Sequence, residues 1–199
     1  MHIDIVILPP PKLSEKIGRF VVGINKQYLL KRIVDNKRLL PHISLFHLNI
    51  QAKDLGNVVA LVRQTVRNQK KLKIGFTTTG GQHLVFGISV KPTQALTNLH
   101  QNVIESVYRL HSGIEDLPPG PKKPIHKKYI RRYGTGNILK CYWPHITLGW
   151  ARYEHDVPKI YRLTNNFNFG SFTATRLAVT QVEKHHQVVR ILKEFKLKN

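Results

Sequence analysis

Two short words in the sequence, Pro41-His42-Ile43-Ser44-Leu45 and Pro144-His145-Ile146-Thr147-Leu148, each set a hydroxyl two residues after an imidazole. In a regular extended strand successive side chains alternate faces, so His42 and Ser44 share one face while Ile43 and Leu45 take the other. His145 and Thr147 stand in the same relation to Ile146 and Leu148. Two such strands meeting across a cleft would gather two imidazoles and two hydroxyls in one small volume, anchored from behind by aliphatic side chains. That set suits phosphate chemistry. A neutral histidine can take a proton from an attacking water or hydroxyl, and a protonated one can give a proton to the departing oxygen. Imidazole titrates near neutrality, and two sharing a site repel each other into different protonation states. With the hydroxyls donating to non-bridging phosphoryl oxygens and nearby cations balancing charge, the arrangement calls for no metal and no cofactor. Which histidine is base and which is acid stays open, because reversing the reaction exchanges the roles.

Neighbouring residues extend the site or merely support it. On strict alternation Phe46 shares the face of His42 and Ser44 and is placed either to stack on a base or to fill core; its counterpart in the second word is Gly149. His47 falls on the opposite face, where it packs or meets solvent, and His185 and His186 fall in a turn. Two histidines are too few for a zinc site without further ligands at suitable spacing, and the single cysteine, Cys141, allows no internal disulfide and reads as packing.

The elements that must hold these words follow from apolar spacing. IDIVIL reads as a strand stopped by Pro9 to Pro11, with helical spacing from Lys12 to Ile33. ISLFHLNI is a strand, followed by a helix capped by Asp54 with Leu55, Val58, Val59, Val62 and Val66 on one face. LKIGFTTTGGQHLVFGISVK reads as two strands, and Thr93 opens a helix carrying Leu96, Leu99, Val103, Val107 and Leu110. YWPHITLGW is followed by a helix over Asp156 to Asn165, then strands in FGSFTATRLAVTQV and VVRILKEFKL. Hairpin-like strand pairs between helices indicate an α+β fold rather than a doubly wound parallel sheet.

Charge sets the class of partner. Among 199 residues 32 Lys and Arg face 11 Asp and Glu, for a formal charge of +21, so the surface attracts polyanions. RNA, DNA and anionic membrane all qualify on charge alone. No run is long and apolar enough for a membrane span and the N-terminus lacks a signal-peptide pattern, so the expectation is a cytoplasmic monomer with no membrane, and the phosphate chemistry of the paired words makes RNA or a nucleotide the expected partner. The stretch 112–136 is dense in proline, glycine and cations and reads as a basic loop. Its Lys122, Lys123, Lys127, Lys128, Arg131 and Arg132, interleaved with Tyr129 and Tyr133, are candidate RNA contacts just upstream of His145.

The paired words resemble the two H-x-[ST] signatures of the 2H phosphoesterase superfamily. IDIVILPPPKLSEKI, the helix after the first word and the closing LAVTQVEKHHQVVRILKEFKL also resemble that family's order of elements, leaving only 112–136 unmatched. The resemblance implies a bilobal α+β fold, two similar lobes of antiparallel sheet plus helices around a central groove, with residues 1–199 as one such domain. It further implies metal-independent chemistry on 2′,3′-cyclic phosphate ends or 2′-5′ phosphodiester links. His42 and His145 would be the acid-base pair, and Ser44 and Thr147 the phosphate-binding hydroxyls. Phe46, Lys127, Lys128, Arg131 and Arg132 remain candidate substrate contacts. Alternatives within reach of the same residues are a 2′-5′ RNA ligase and a basic RNA-binding protein of this fold without turnover.

Overall fold

The computed structural model describes every residue except Gln82, 114–122, Lys184 and Asn199. Strand β1 (His2–Ile7) is buried from Ile3 onward, which explains its near-continuous run of Ile and Val. Pro11 begins helix α1 (Pro11–Tyr28), where a missing N–H costs nothing, and Leu29 closes it in the left-handed region at φ 46°. The helix therefore ends short of Ile33. Arg32–Ile33 form a two-residue strand, β2, too short to leave a periodic signal.

Strand β3 (Ile43–Asn49) leads to α2 (Leu55–Val66), which buries Val58, Val62 and Val66. Asp54 occupies the N-cap position but its side chain makes no capping bond. Strands β4 (Leu72–Gly80) and β5 (Val85–Val90) precede α3 (Gln94–Val107), capped by the Thr93 hydroxyl, which accepts from the Leu96 N–H at 3.3 Å. Within the stretch that reads as a basic loop lies a helix, α4 (Pro124–Tyr133). Its Pro124 sits at the helix start and Gly134, at φ 79°, ends it, so the apparent loop formers are the helix's own boundaries. Residues 114–122, including Lys122, fall outside the described residues. The chain continues through β6 (His145–Trp150), α5 (Val157–Asn166), β7 (Ser171–Ala174), β8 (Arg176–Val182) and β9 (Val188–Lys196).

All strand pairs are antiparallel. One sheet has the order β3-β1-β8-β9 and the other β2-β6-β5-β4-β7. The fold is α+β and bilobal, and the two lobes are alike: the pair β1/β3 in one sheet matches β5/β6 in the other. The lobes are also interlaced, since β4 follows the first lobe's helix yet joins the second sheet, and β8 and β9 return to the first. FGSFTATRLAVTQV is thus split at Thr175 between the two sheets. One continuous apolar core, including Ile5, Leu45, Phe46, Phe86, Leu99 and Ile146, runs through both lobes. Among the described residues no helix is long and apolar enough to cross a membrane.

Candidate active site

Each histidine enters its strand directly after a proline, and each is held by the residue before that proline. The Leu40 carbonyl accepts from His42 Nδ1 at 2.8 Å, and the Trp143 carbonyl accepts from His145 Nδ1 at 2.9 Å. The residue preceding a proline is driven to an extended backbone, which presents its carbonyl in the same way in both words. With Nδ1 protonated and occupied, Nε2 is the nitrogen at which a second proton can be taken or given on both rings. The strands β3 and β6 come together, close enough for the charge of one histidine to oppose that of the other. Burial pushes His42 down to about 4, His145 adds to this, and the carbonyls of Leu40 and His186 act in the opposite sense. His145 is also lowered by burial, partly offset by the Trp143 carbonyl.

Strict alternation fails one step beyond each hydroxyl. On β3, Ser44 pairs with Val6 and Phe46 with Ile5, so Leu45 is an extra residue. On β6, Thr147 pairs with Gly87 and Gly149 with Phe86, so Leu148 is extra in the same place. A bulge of this kind reverses the faces of everything after it. Phe46 is consequently 1 % exposed and belongs to the core, so of the two readings offered for it the core one describes it, and it is no candidate substrate contact. His47, expected on the far face, turns to the side of His42 and Ser44. The ring missing at Gly149 is supplied across the ladder by Phe86, whose ring atoms lie 3.2 Å from where a Cβ on Gly149 would stand.

The bulge gathers a group around Asp4, which is completely buried on the central strand β1. Ser44 donates its hydroxyl to Asp4 Oδ2 at 2.7 Å, His47 Nδ1 lies 3.3 Å from the same oxygen and His42 Nε2 lies 3.8 Å from it. The His186 ring, from the β8–β9 turn, packs edge-on against His47 with centroids 4.9 Å apart, so His186 is part of this cluster rather than a bystander of the turn. Burial, with His186, His42 and His145 nearby, holds His47 well below the ordinary histidine range. The sequence carried one signal of this arrangement: an acidic residue inside the apolar run IDIVIL.

A second buried histidine braces the site from below. His100 on α3 donates from Nδ1 to the carbonyl of the bulge residue Leu45 at 2.6 Å and accepts at Nε2 from the Leu139 N–H at 2.8 Å. Both nitrogens are committed, which fixes a neutral ring, and burial lowers it to about 4. Tyr142 stacks on His100 at 3.7 Å and donates its hydroxyl to the Ser44 carbonyl at 2.9 Å. His100 and Tyr142 thereby tie the first word to the segment leading into the second. Trp143 stacks on His145 at 4.6 Å while remaining 39 % exposed, and its indole lies over Gly80, where a Cβ would come within 2.5 Å.

At the level of sequence, no described family and no curated protein matches this chain. Solved structures do match. TT0787 of Thermus thermophilus superposes with a TM-score of 0.64 at 14 % identity, covering 99 % of this chain and 98 % of its own. A crystal structure titled phosphoesterase gives a TM-score of 0.60 at 13 % identity, over 100 % of this chain and 98 % of that one. E. coli LigT complexed with 3′-AMP gives 0.58 at 16 % identity, again over 100 % and 98 %. The chain has the LigT fold. The likeness lies in the fold, with both lobes included, and it agrees with the resemblance to the 2H phosphoesterases.

On this LigT fold α4 adds a cationic face. Lys127, Lys128, Arg131 and Arg132 are all exposed and lie one helical turn apart in pairs. Tyr129, by contrast, is 9 % exposed and packs inward, so it is no open stacking surface. Tyr133 is half-buried against Tyr108, with the Arg132 guanidinium 5.2 Å above its ring. Among the described residues no group of three or more His, Cys, Asp or Glu is arranged to hold a metal ion.

Proposed function

We propose that this protein is an RNA-directed phosphodiesterase that opens 2′,3′-cyclic phosphate ends or cleaves 2′-5′ links by histidine acid-base catalysis, without a metal ion. The observation that carries the reading is the matched pair of imidazoles, each with Nδ1 tied to the carbonyl two residues back, which makes Nε2 the nitrogen for the second proton. One Nε2 takes the proton of water as its oxygen attacks phosphorus, and the other protonates the ribose oxygen as its bond to phosphorus breaks. Thr147 supplies a hydroxyl to a phosphoryl oxygen, and Trp143 offers an exposed indole beside His145. The phosphoesterases of LigT fold support the substrate class, and LigT itself was crystallised with 3′-AMP, a nucleotide carrying a phosphate on the ribose 3′ oxygen. Lys127, Lys128, Arg131 and Arg132 form a cationic face suited to an RNA backbone.

The test is a substrate panel in EDTA: nucleoside 2′,3′-cyclic phosphates, RNA with a cyclic-phosphate end, and 2′-5′ and 3′-5′ dinucleotides, each with separated products. Turnover of a cyclic phosphate or a 2′-5′ link in EDTA is the expected result. Tight RNA binding with no turnover of any member would instead make the protein a binding module, and joining rather than cleavage of 2′-5′ ends would make it a ligase.

A further inference from the structure

The two lobes agree at the histidines, the hydroxyls and the bulges, and then part company just beyond, where one difference bears on the chemistry. The register that sets Val6 opposite Ser44 sets Asp4 opposite His47, and the register that sets Gly87 opposite Thr147 sets Val85 opposite Trp150. The fold is therefore content with valine where the first lobe has aspartate. Burying a carboxylate in a strand of Ile and Val is costly unless charge or hydrogen bonds compensate it. At Asp4 the site itself supplies part of the compensation: Ser44 at 2.7 Å, His47 at 3.3 Å and His42 at 3.8 Å from one oxygen.

We infer that Asp4 is a positioning residue that gives the acid-base pair its polarity: when a phosphate enters the site, Asp4 directs the added proton to His42, making His42 the acid and His145 the base. His42 meets Asp4 from β1, Ser44 and His47 from its own strand, His145 from β6 and His186 from the β8–β9 turn. Tyr142, just before β6, has its phenol pushed up by burial and by the negative charge of Asp4. Of these, Asp4 is the carboxylate, and it lies beside His42 and not beside the Val85 lobe of His145. Burial pushes His42 down to about 4 and lowers His145 as well, so both rings favour the neutral form until an anion binds. An incoming phosphate favours imidazolium on either ring, and the carboxylate decides which ring takes the proton. During hydrolysis the water oxygen bonds to phosphorus as its proton passes to His145 Nε2. The bond from phosphorus to the departing ribose oxygen breaks as that oxygen takes the proton from His42 Nε2. Afterwards His145 releases one proton to solvent and His42 regains one.

The reaction half of this inference rests on the proposed function, whereas the order of titration does not. The experiment is therefore an NMR titration of the assigned histidine rings in saturating inorganic phosphate, on the parent, on Asp4→Asn and on Asp4→Val, which installs the other lobe's residue. In the parent His42 is expected to hold its proton to higher pH than His145 and His47. In either variant the His42 midpoint should fall by about 1 to 3 pH units, the range for loss of a close opposite charge, with a smaller change at His145. A parent in which His145 or His47 titrates highest overturns the assignment even if neither variant folds, and so does an unmoved His42 in folded variants. If phosphate disturbs none of the rings, the functional reading falls together with this one. If the order holds but no panel substrate turns over, only the functional reading falls.

Discussion

Ser44→Ala and Thr147→Val remove chemically similar hydroxyls from matched positions, yet their surroundings predict opposite consequences. A serine has one proton to donate. Ser44 gives its proton to the buried Asp4 carboxylate at 2.7 Å, whereas the position facing the same way in the other lobe is Val85, which accepts nothing. Removing a hydrogen bond to a buried charged group costs about 1.5 to 3 kcal/mol. For a chain of 199 residues that lowers Tm by about 3 to 12 °C, at roughly 2 to 4 °C per kcal/mol. Thr147→Val keeps the branched shape and loses no bond of this kind, so its Tm should move by less than about 2 °C. The rates reverse the order. Thr147 is free to donate to a phosphoryl oxygen, and its loss should slow single-turnover cleavage roughly 10- to 150-fold, while Ser44→Ala should slow it by less than about tenfold. Thermal unfolding by circular dichroism and single-turnover cleavage of a cyclic-phosphate substrate, measured on both variants, decide the matter. Equal rate losses with no loss of stability in Ser44→Ala would refute the division of labour drawn from Asp4.

The other expectations are independent of that comparison. His42→Ala and His145→Ala should each slow turnover by roughly 10² to 10⁴, and the double variant should be little worse than the poorer single one, because both act in one step; near-parental cleavage by both single variants would make the paired words structural. RNA affinity should fall with salt at a log–log slope of about −0.7 per phosphate neutralised, and replacing Lys127, Lys128, Arg131 and Arg132 by alanine should flatten it; an unchanged slope removes α4 from the interface. Stability should decline on acidification. His42 and His100 are each lowered from 6.5 to about 4 by burial, so above pH 6.5 both are neutral whether folded or not, and below it the unfolded chain binds protons that the native state refuses. Between about pH 6.5 and 4 each therefore withdraws up to roughly 3 kcal/mol, from 1.36 kcal/mol per pH unit. Urea unfolding that is flat across that interval would contradict the buried neutral state of both rings.

The sequence makes the histidines and hydroxyls easy to find because nearly the same word occurs twice, and the strands around them announce themselves by apolar spacing. What it hides arises where a local rule is broken once. Alternation along ISLFHLNI assigns Phe46 to the groove and His47 to the far side, and the extra residue at Leu45 reverses both. No pattern in the letters marks that bulge, which depends on pairing with β1 some forty positions away in the chain. Pro124 and Gly134 read as loop formers, whereas their separation marks the two ends of a helix. His100 is masked by regularity of another kind, standing one step after Leu99 on the buried face of α3, where only the three-dimensional path of Leu45 and Leu139 reveals what its two nitrogens hold.

The interlacing of the lobes has a practical side. A break in the chain between α3 and α4 would leave β1, β2, β3, β4 and β5 on one fragment and β6, β7, β8 and β9 on the other. Each fragment would own two of the four strands of the first sheet, part of the second, and one histidine of the matched pair. Neither could close a core, yet each carries the other's missing neighbours: β1 pairs with β8, β2 and β5 with β6, and β4 with β7. The protein is thus built like a clasp in two pieces, and recovered phosphodiester cleavage on mixing the pieces would report that the clasp had shut.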